Sequence, residues 1–66
     1  MYRIKEVREY RGFTQSYLAL CAHVSQPYLS DLEHNRRGAK RETLERIARA
    51  LNMPVDSLIK EDGESA

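Results

Sequence analysis

Few side chains in this sequence have the chemistry of catalysis. Cys21, His23 and His34 are the only cysteine and histidine ligands, whereas a zinc site wants three or four in fixed geometry. No serine stands with a paired base and an orienting acid. No enzyme activity, metal, cofactor or small-molecule substrate is therefore expected. What remains is recognition chemistry, concentrated in the run Gln26, Pro27, Tyr28, Ser30 and Asp31. The Gln26 carboxamide donates and accepts at once, as adenine N7 and N6 require. Asp31 can accept from cytosine N4, Pro27 and the Tyr28 ring can meet a thymine methyl, and the Ser30 hydroxyl bonds to almost any base. Just beyond lie Arg36, Arg37, Lys40 and Arg41, cations of the kind that grip phosphate.

Such a run reads a surface only if it is rigid and stands clear of the body. The residues around it supply a helix. Ser25 is a good N-cap, and Pro27 falls in the first turn, where its missing N–H costs nothing. This predicts a helix over Gln26–His34. At about 100° per residue, with Leu29 and Leu32 inward, Pro27, Ser30, Asp31 and His34 point outward, Gln26 starts the helix and Tyr28 flanks it. His34 suits a helix end favoured by the dipole. A second helix, Thr14–Ala22, precedes it across only His23-Val24-Ser25. Thr14 caps it, and Phe13 and Leu18 are spaced as a hydrophobic staple. So tight a connection, packed through Leu18, Ala19, Ala22, Val24, Leu29 and Leu32, makes a helix-turn-helix over about 14–34, whose exposed second helix has the shape that enters a DNA major groove.

The remaining elements complete an all-α, compact five-helix domain over residues 1–60. Residues 3–11 form a first helix with Ile4 and Val7 inward, ended by Gly12. His34 to Lys40 is a basic loop in which Asn35 and Gly38 tolerate positive φ. Leu44, Ile47, Ala48 and Leu51 stripe a helix at Arg41–Leu51, which Asn52 caps and Pro54 stops. On its outer face Arg46 and Arg49 are read as i,i+4 partners of Glu42 and Glu45. Val55, Leu58 and Ile59 belong to a last short helix, Val55–Lys60. Residues 61–66 read as an acidic, disordered tail.

The chain of 66 residues carries a net charge of +1, which conceals an uneven distribution. The tail holds Glu61, Asp62 and Glu64 against no base, leaving eleven bases and seven acids in residues 1–60. A basic body of this kind suits an anionic partner. With one cysteine, no apolar run of membrane length and no signal segment, the expected setting is a reducing cytoplasm, away from any membrane.

The ordered set Gly12-Phe13-Thr14-Gln15, Leu18-Ala19, Ala22-His23-Val24-Ser25, Leu29-Ser30, Leu32-Glu33, Glu42-Thr43-Leu44, Ile47-Ala48, Ala50-Leu51 and Asp56-Ser57-Leu58 resembles the Cro/C1-type (Xre, phage-repressor-like) helix-turn-helix family, from Ile4 to Ile59. The resemblance implies a bacterial or phage-encoded transcriptional regulator of repressor type that binds double-stranded DNA as a homodimer. It also implies a phosphate contact for Gln15 and a structural ion pair between Arg8 and Glu33. Some residues depart from the family pattern. His23 and Asn35 stand where glycine is usual, Ala39 and Lys40 where proline and a capping serine are common, and Pro27 lies beside the base-reading positions.

A competing reading is a helical protein-interaction module, antitoxin or co-regulator with little DNA affinity of its own. Tyr2, Tyr10, Leu20 and Ile59 are apolar positions expected at the surface, where they serve as that partner surface or as a homodimer seam. The cationic loop beside the third helix separates the two readings, because a pure protein binder has no need of it.

Overall fold

The computed structural model describes residues 2–59. Its α-helices are α1 (Ile4–Tyr10), α2 (Gln15–Ala22), α3 (Gln26–Glu33) and α4 (Arg41–Ala50), followed by a 3-10 turn at Val55–Leu58. The all-α architecture is as expected, but the fifth helix is reduced to this single turn. The cause is a tether on each side. Pro54 enters in extended geometry, the Leu58 carbonyl accepts from the Arg3 N–H at 2.7 Å, and Ile59 pairs antiparallel with Tyr2. A chain committed to that bridge is already extended at Ile59 and cannot continue as helix. Lys60 and the acidic tail expected at 61–66 lie outside the described residues.

Capping sets the starts of the two central helices. Thr14 Oγ1 accepts from the Tyr17 N–H at 3.1 Å, and Ser25 Oγ accepts from the Tyr28 N–H at 3.2 Å. At the head of α4, Lys40 holds the extended cap conformation without a side-chain bond, so that helix begins without the hydroxyl cap that a serine would supply.

All four α-helices end by one device. A left-handed residue follows the last turn, and two N–H groups fold back onto the helix carbonyls, the arrangement known as a Schellman motif. The left-handed residues are Gly12 (φ 76), His23 (φ 59), Asn35 (φ 57) and Asn52 (φ 61). At α1 the bonds are Gly12 N–H to Glu9 O and Phe13 N–H to Arg8 O; at α3 they are Asn35 N–H to Leu32 O and Arg36 N–H to Asp31 O. Gly38, expected to share this freedom, does not adopt positive φ. The residue after the left-handed one commonly tucks onto the helix. Phe13, Val24 and Met53 do so and pack against the core. The fourth such position is Arg36, which is exposed.

The core gathers Ile4, Leu18, Ala19, Ala22, Leu29, Leu32, Leu44, Ile47, Ala48, Leu51 and Leu58, with Val7, Phe13 and Val24 packed against it. α2 is its centre, lying against both α3 and α4, while α1 braces α3 and the 3-10 turn closes on α4. Tyr2 and Ile59 are half-buried by their bridge rather than exposed. The Tyr2 hydroxyl also accepts from the Ala39 N–H at 3.1 Å, which ties the amino-terminal segment to the α3–α4 loop. Tyr10 and Leu20 are exposed, and so is Tyr17, which no sequence argument had placed at the surface.

Candidate nucleic-acid interface

Glu33 occupies the last turn of α3, facing α1, and its side chain is 1% exposed. A carboxylate so buried needs a cation and several hydrogen bonds. Arg8 supplies a forked grip, with Nε 2.7 Å from Oε2 and Nη2 3.2 Å from Oε1. The third nitrogen, Nη1, donates to the Phe13 carbonyl at 2.8 Å. Arg8 is thereby fastened to the close of α1 as well as to α3. Hydrogen bonding to Glu33 raises the Arg8 pKa above its ordinary value and outweighs the opposing effect of burial.

The Glu33 cluster extends to the surface. Gln15 Nε2 donates to Glu33 Oε1 at 3.1 Å, and Gln26 Nε2 donates to Gln15 Oε1 at 3.3 Å. The first residues of α2 and α3 are thus joined side by side. The expected base-reading residue Gln26 meets the expected phosphate-binding residue Gln15 and, through it, the ion pair. Gln26 and Glu33 lie seven residues apart on α3, but their spacing does not reveal that Gln15, from the start of α2, stands between them.

The rest of the outer side of α3 is mixed. Gln26 and Pro27 are exposed, Tyr28, Ser30 and Asp31 are half-buried, and His34 is exposed with Nδ1 2.9 Å from the Ser30 carbonyl. Arg36 and Arg37 fold back along this side. Arg36 Nη1 lies 3.6 Å from Asp31 Oδ1, so an acid and a cation that had been assigned separate tasks partly neutralise each other. The Arg37 guanidinium stands over the Tyr28 ring, 4.6 Å from its centroid, a cation–π geometry that holds both groups. Lys40 is exposed at the far end of the loop.

Arg41 does not join this group. Glu45 and Asp56 hold it at 3.3 and 3.5 Å, and these acids belong to α4 and the 3-10 turn. That contact also redirects Glu45, which had been expected to pair with Arg49. Arg46 lies 3.7 Å from Glu42, as i,i+4 spacing suggests, but it is not simply an outer-face residue. Its Nε donates to the Ala22 carbonyl at 3.1 Å, satisfying an orphan acceptor at the end of α2 and bracing the turn from behind. Only the packing of α4 on α2 brings those two groups together. On the other side of α2, Phe13 and Tyr17 meet edge to face at 4.9 Å. A hydrogen bond with Cys21 one turn on raises the Tyr17 phenol above its ordinary pKa.

Among the described residues no three metal-binding side chains come together, and no helix is long and apolar enough to cross a membrane. The surface that α3 and its loop present carries carboxamides, a hydroxyl, the Tyr28 ring, the Asp31 carboxylate and loosely held cations. Comparison with known proteins gives this arrangement its place. The family model described as helix-turn-helix matches residues 4–58. The chain belongs to the Cro/C1-type helix-turn-helix family.

Relatives within that family carry regulatory names. An immunity repressor protein of Bacillus phage phi105 is 40% identical over 60 residues, covering 91% of this chain and 42% of the relative. The HTH-type transcriptional regulator SinR of Bacillus licheniformis is 34% identical over 64 residues, covering 96% and 58% respectively. The chain spans about half the length of the curated relatives it matches. Among solved structures, that of the biofilm master regulator SinR in complex with DNA superposes with a TM-score of 0.82 at 34% identity, covering 88% of this chain and 94% of that one.

Proposed function

We propose that this chain is a sequence-specific DNA-binding transcriptional regulator of repressor type, acting in the bacterial cytoplasm as a homodimer that lays α3 of each copy in the major groove. The observation that carries the reading is the placement of Gln26, exposed at the head of α3 and tethered to Gln15, on a helix whose same side is rimmed by Arg36 and Arg37. Family membership and the DNA complex of SinR support it.

In this reading Gln26 pairs with adenine, Pro27 and Tyr28 meet a thymine methyl, Ser30 adds an unspecific bond, and Asp31 accepts from cytosine. Gln15, Arg36, Arg37 and Lys40 hold phosphates and supply the salt-sensitive affinity. Arg41 leaves that set, since two carboxylates hold it elsewhere. The Arg36–Asp31 pair lessens the repulsion between Asp31 and nearby phosphates. Two copies would present their reading helices about 34 Å apart, one helical turn of DNA.

Selection of sites from random duplex DNA tests the proposal. A two-fold symmetric consensus is expected, and Gln26→Ala should cost about 1–3 kcal/mol and relax preference at one position per half-site. If selection yields no consensus, and retention on duplex DNA ends at the salt that elutes the protein from a plain cation exchanger, the protein-binding reading takes its place.

A further inference from the structure

We infer that Arg37, in the loop after α3, is a positioning residue for Tyr28: lying over the ring, it holds the ring against the 5-methyl group of a thymine and ties that base preference to a phosphate contact. This inference rests on the reading of Tyr28 as a base-contacting residue and goes beyond it. Tyr28 lies in the first turn of α3, with its N–H held by Ser25 Oγ at 3.2 Å and its half-buried side chain packed against the core. The Arg37 guanidinium stands 4.6 Å from the ring centroid. Core and cation together confine the ring, and a confined ring presents the same surface to every duplex.

The loop backbone is fastened on both sides of Arg37. The Arg36 N–H donates to the Asp31 carbonyl at 2.8 Å, and the Ala39 N–H donates to the Tyr2 hydroxyl at 3.1 Å. The two neighbouring arginines are then held by different means. Arg36 faces the Asp31 carboxylate at 3.6 Å, whereas among the described residues no carboxylate pairs with Arg37. Its charge is therefore free for a phosphate. A guanidinium stacks on a ring through its face, and its N–H donors lie in its own plane, where they can reach oxygen acceptors. One side chain can thus grip a phosphate and cover the ring at once. Thymine is the base with a methyl group at C5, which the major groove exposes to apolar contact. A ring free to swing would meet that methyl only part of the time; Arg37 removes the freedom.

Deoxyuridine in place of a single thymine removes that methyl and nothing else. The experiment makes this replacement at each thymine of a selected duplex and measures the thymine-to-uracil affinity ratio by competition binding, with thermal melts to establish that each variant is folded. For the parent, one replacement should weaken binding roughly four-fold, as expected for burial of one methyl-sized group, and Tyr28→Ala should abolish that ratio. Arg37→Ala should bring the same ratio close to one and flatten the dependence of log affinity on log salt by about one unit. Arg37→Lys keeps the cation and should keep the salt dependence, yet lower the ratio, because a hydrated ammonium does not stack as a guanidinium does. A phosphate contact alone would weaken thymine and uracil duplexes equally. If both Arg37 variants keep the parental ratio, the inference is overturned and the Tyr28 contact stands. A parental ratio in Arg37→Lys alone would assign the effect to charge and overturn the stacking. Should Tyr28→Ala not fold, the two variants at the exposed Arg37 still decide at every methyl-sensitive position. If no replacement weakens the parent, the Tyr28 contact and the inference fall together, while DNA binding itself is untouched.

Discussion

Replacing Arg8 by methionine should unfold much of this protein at temperatures where the parent is folded. The substitution retains most of the apolar stem and removes the charge. Glu33 is left 1% exposed with Gln15 as its remaining side-chain partner, and the Phe13 carbonyl loses its Arg8 donor. Leaving one member of a buried pair uncompensated costs about 3–5 kcal/mol. A domain of this size holds a total stability on the order of 3–10 kcal/mol, so the loss is a large share of the whole. Each kcal/mol moves the melting temperature of so small a domain by about 4–8 °C; a fall of more than about 12 °C follows.

Urea and thermal melts followed by circular dichroism at 222 nm read both quantities. The informative partner is the double variant Arg8→Met with Glu33→Leu. Removing both charges together is often close to neutral, so the double variant should be more stable than Arg8→Met alone. A loss under about 1 kcal/mol for Arg8→Met would refute the reasoning, because that is the range of a solvated surface pair. A double variant no better than the single would show that packing of the guanidinium, rather than the orphaned carboxylate, carries the cost.

His23→Gly should raise stability by up to about 1 kcal/mol in thermal melts, because φ is 59 at that position and a side chain there is strained; His23→Val should lower it, a β-branched residue being the least tolerated in that region. Tyr2→Phe deprives the Ala39 N–H of its acceptor and should cost about 1 kcal/mol in urea unfolding. Arg36→Ala should weaken binding to every duplex alike and flatten the dependence of log affinity on log salt by about one unit. Asp31→Asn, which frees Arg36 from its 3.6 Å partner, should tighten binding to unselected DNA, measured by fluorescence anisotropy, while lowering discrimination at one base pair.

The α3 surface illustrates how far sequence reasoning carries. Leu29 and Leu32 alone define which way α3 faces, because a helix has one period and a small core has one inside. Its caps, Ser25 and Asn35, are equally plain, since they act within a few residues of themselves. Arg36 also left a local trace. It fills the one position after a left-handed helix stop that is not apolar, where Phe13, Val24 and Met53 tuck inward. By contrast, the fifth helix was misjudged because its fate depends on Tyr2, 57 positions away in the chain. The surface role assigned to Tyr2 and Ile59 failed for the same reason.

What the order of residues determined by itself is therefore mostly of short reach: the four α-helices, the Thr14 and Ser25 caps, the inward stripes, and the basic loop that follows the exposed rod. What only the folded molecule decided is how charges are shared. Arg41 was drawn off by Asp56, Arg36 was set against Asp31, Arg46 was turned onto the Ala22 carbonyl, and Glu33 was joined through Gln15 to Gln26. Hydrogen bonds and ion pairs form between whichever groups packing brings within about 3–4 Å. Hydrophobic periodicity specifies that packing, but it says nothing about which polar neighbours will meet.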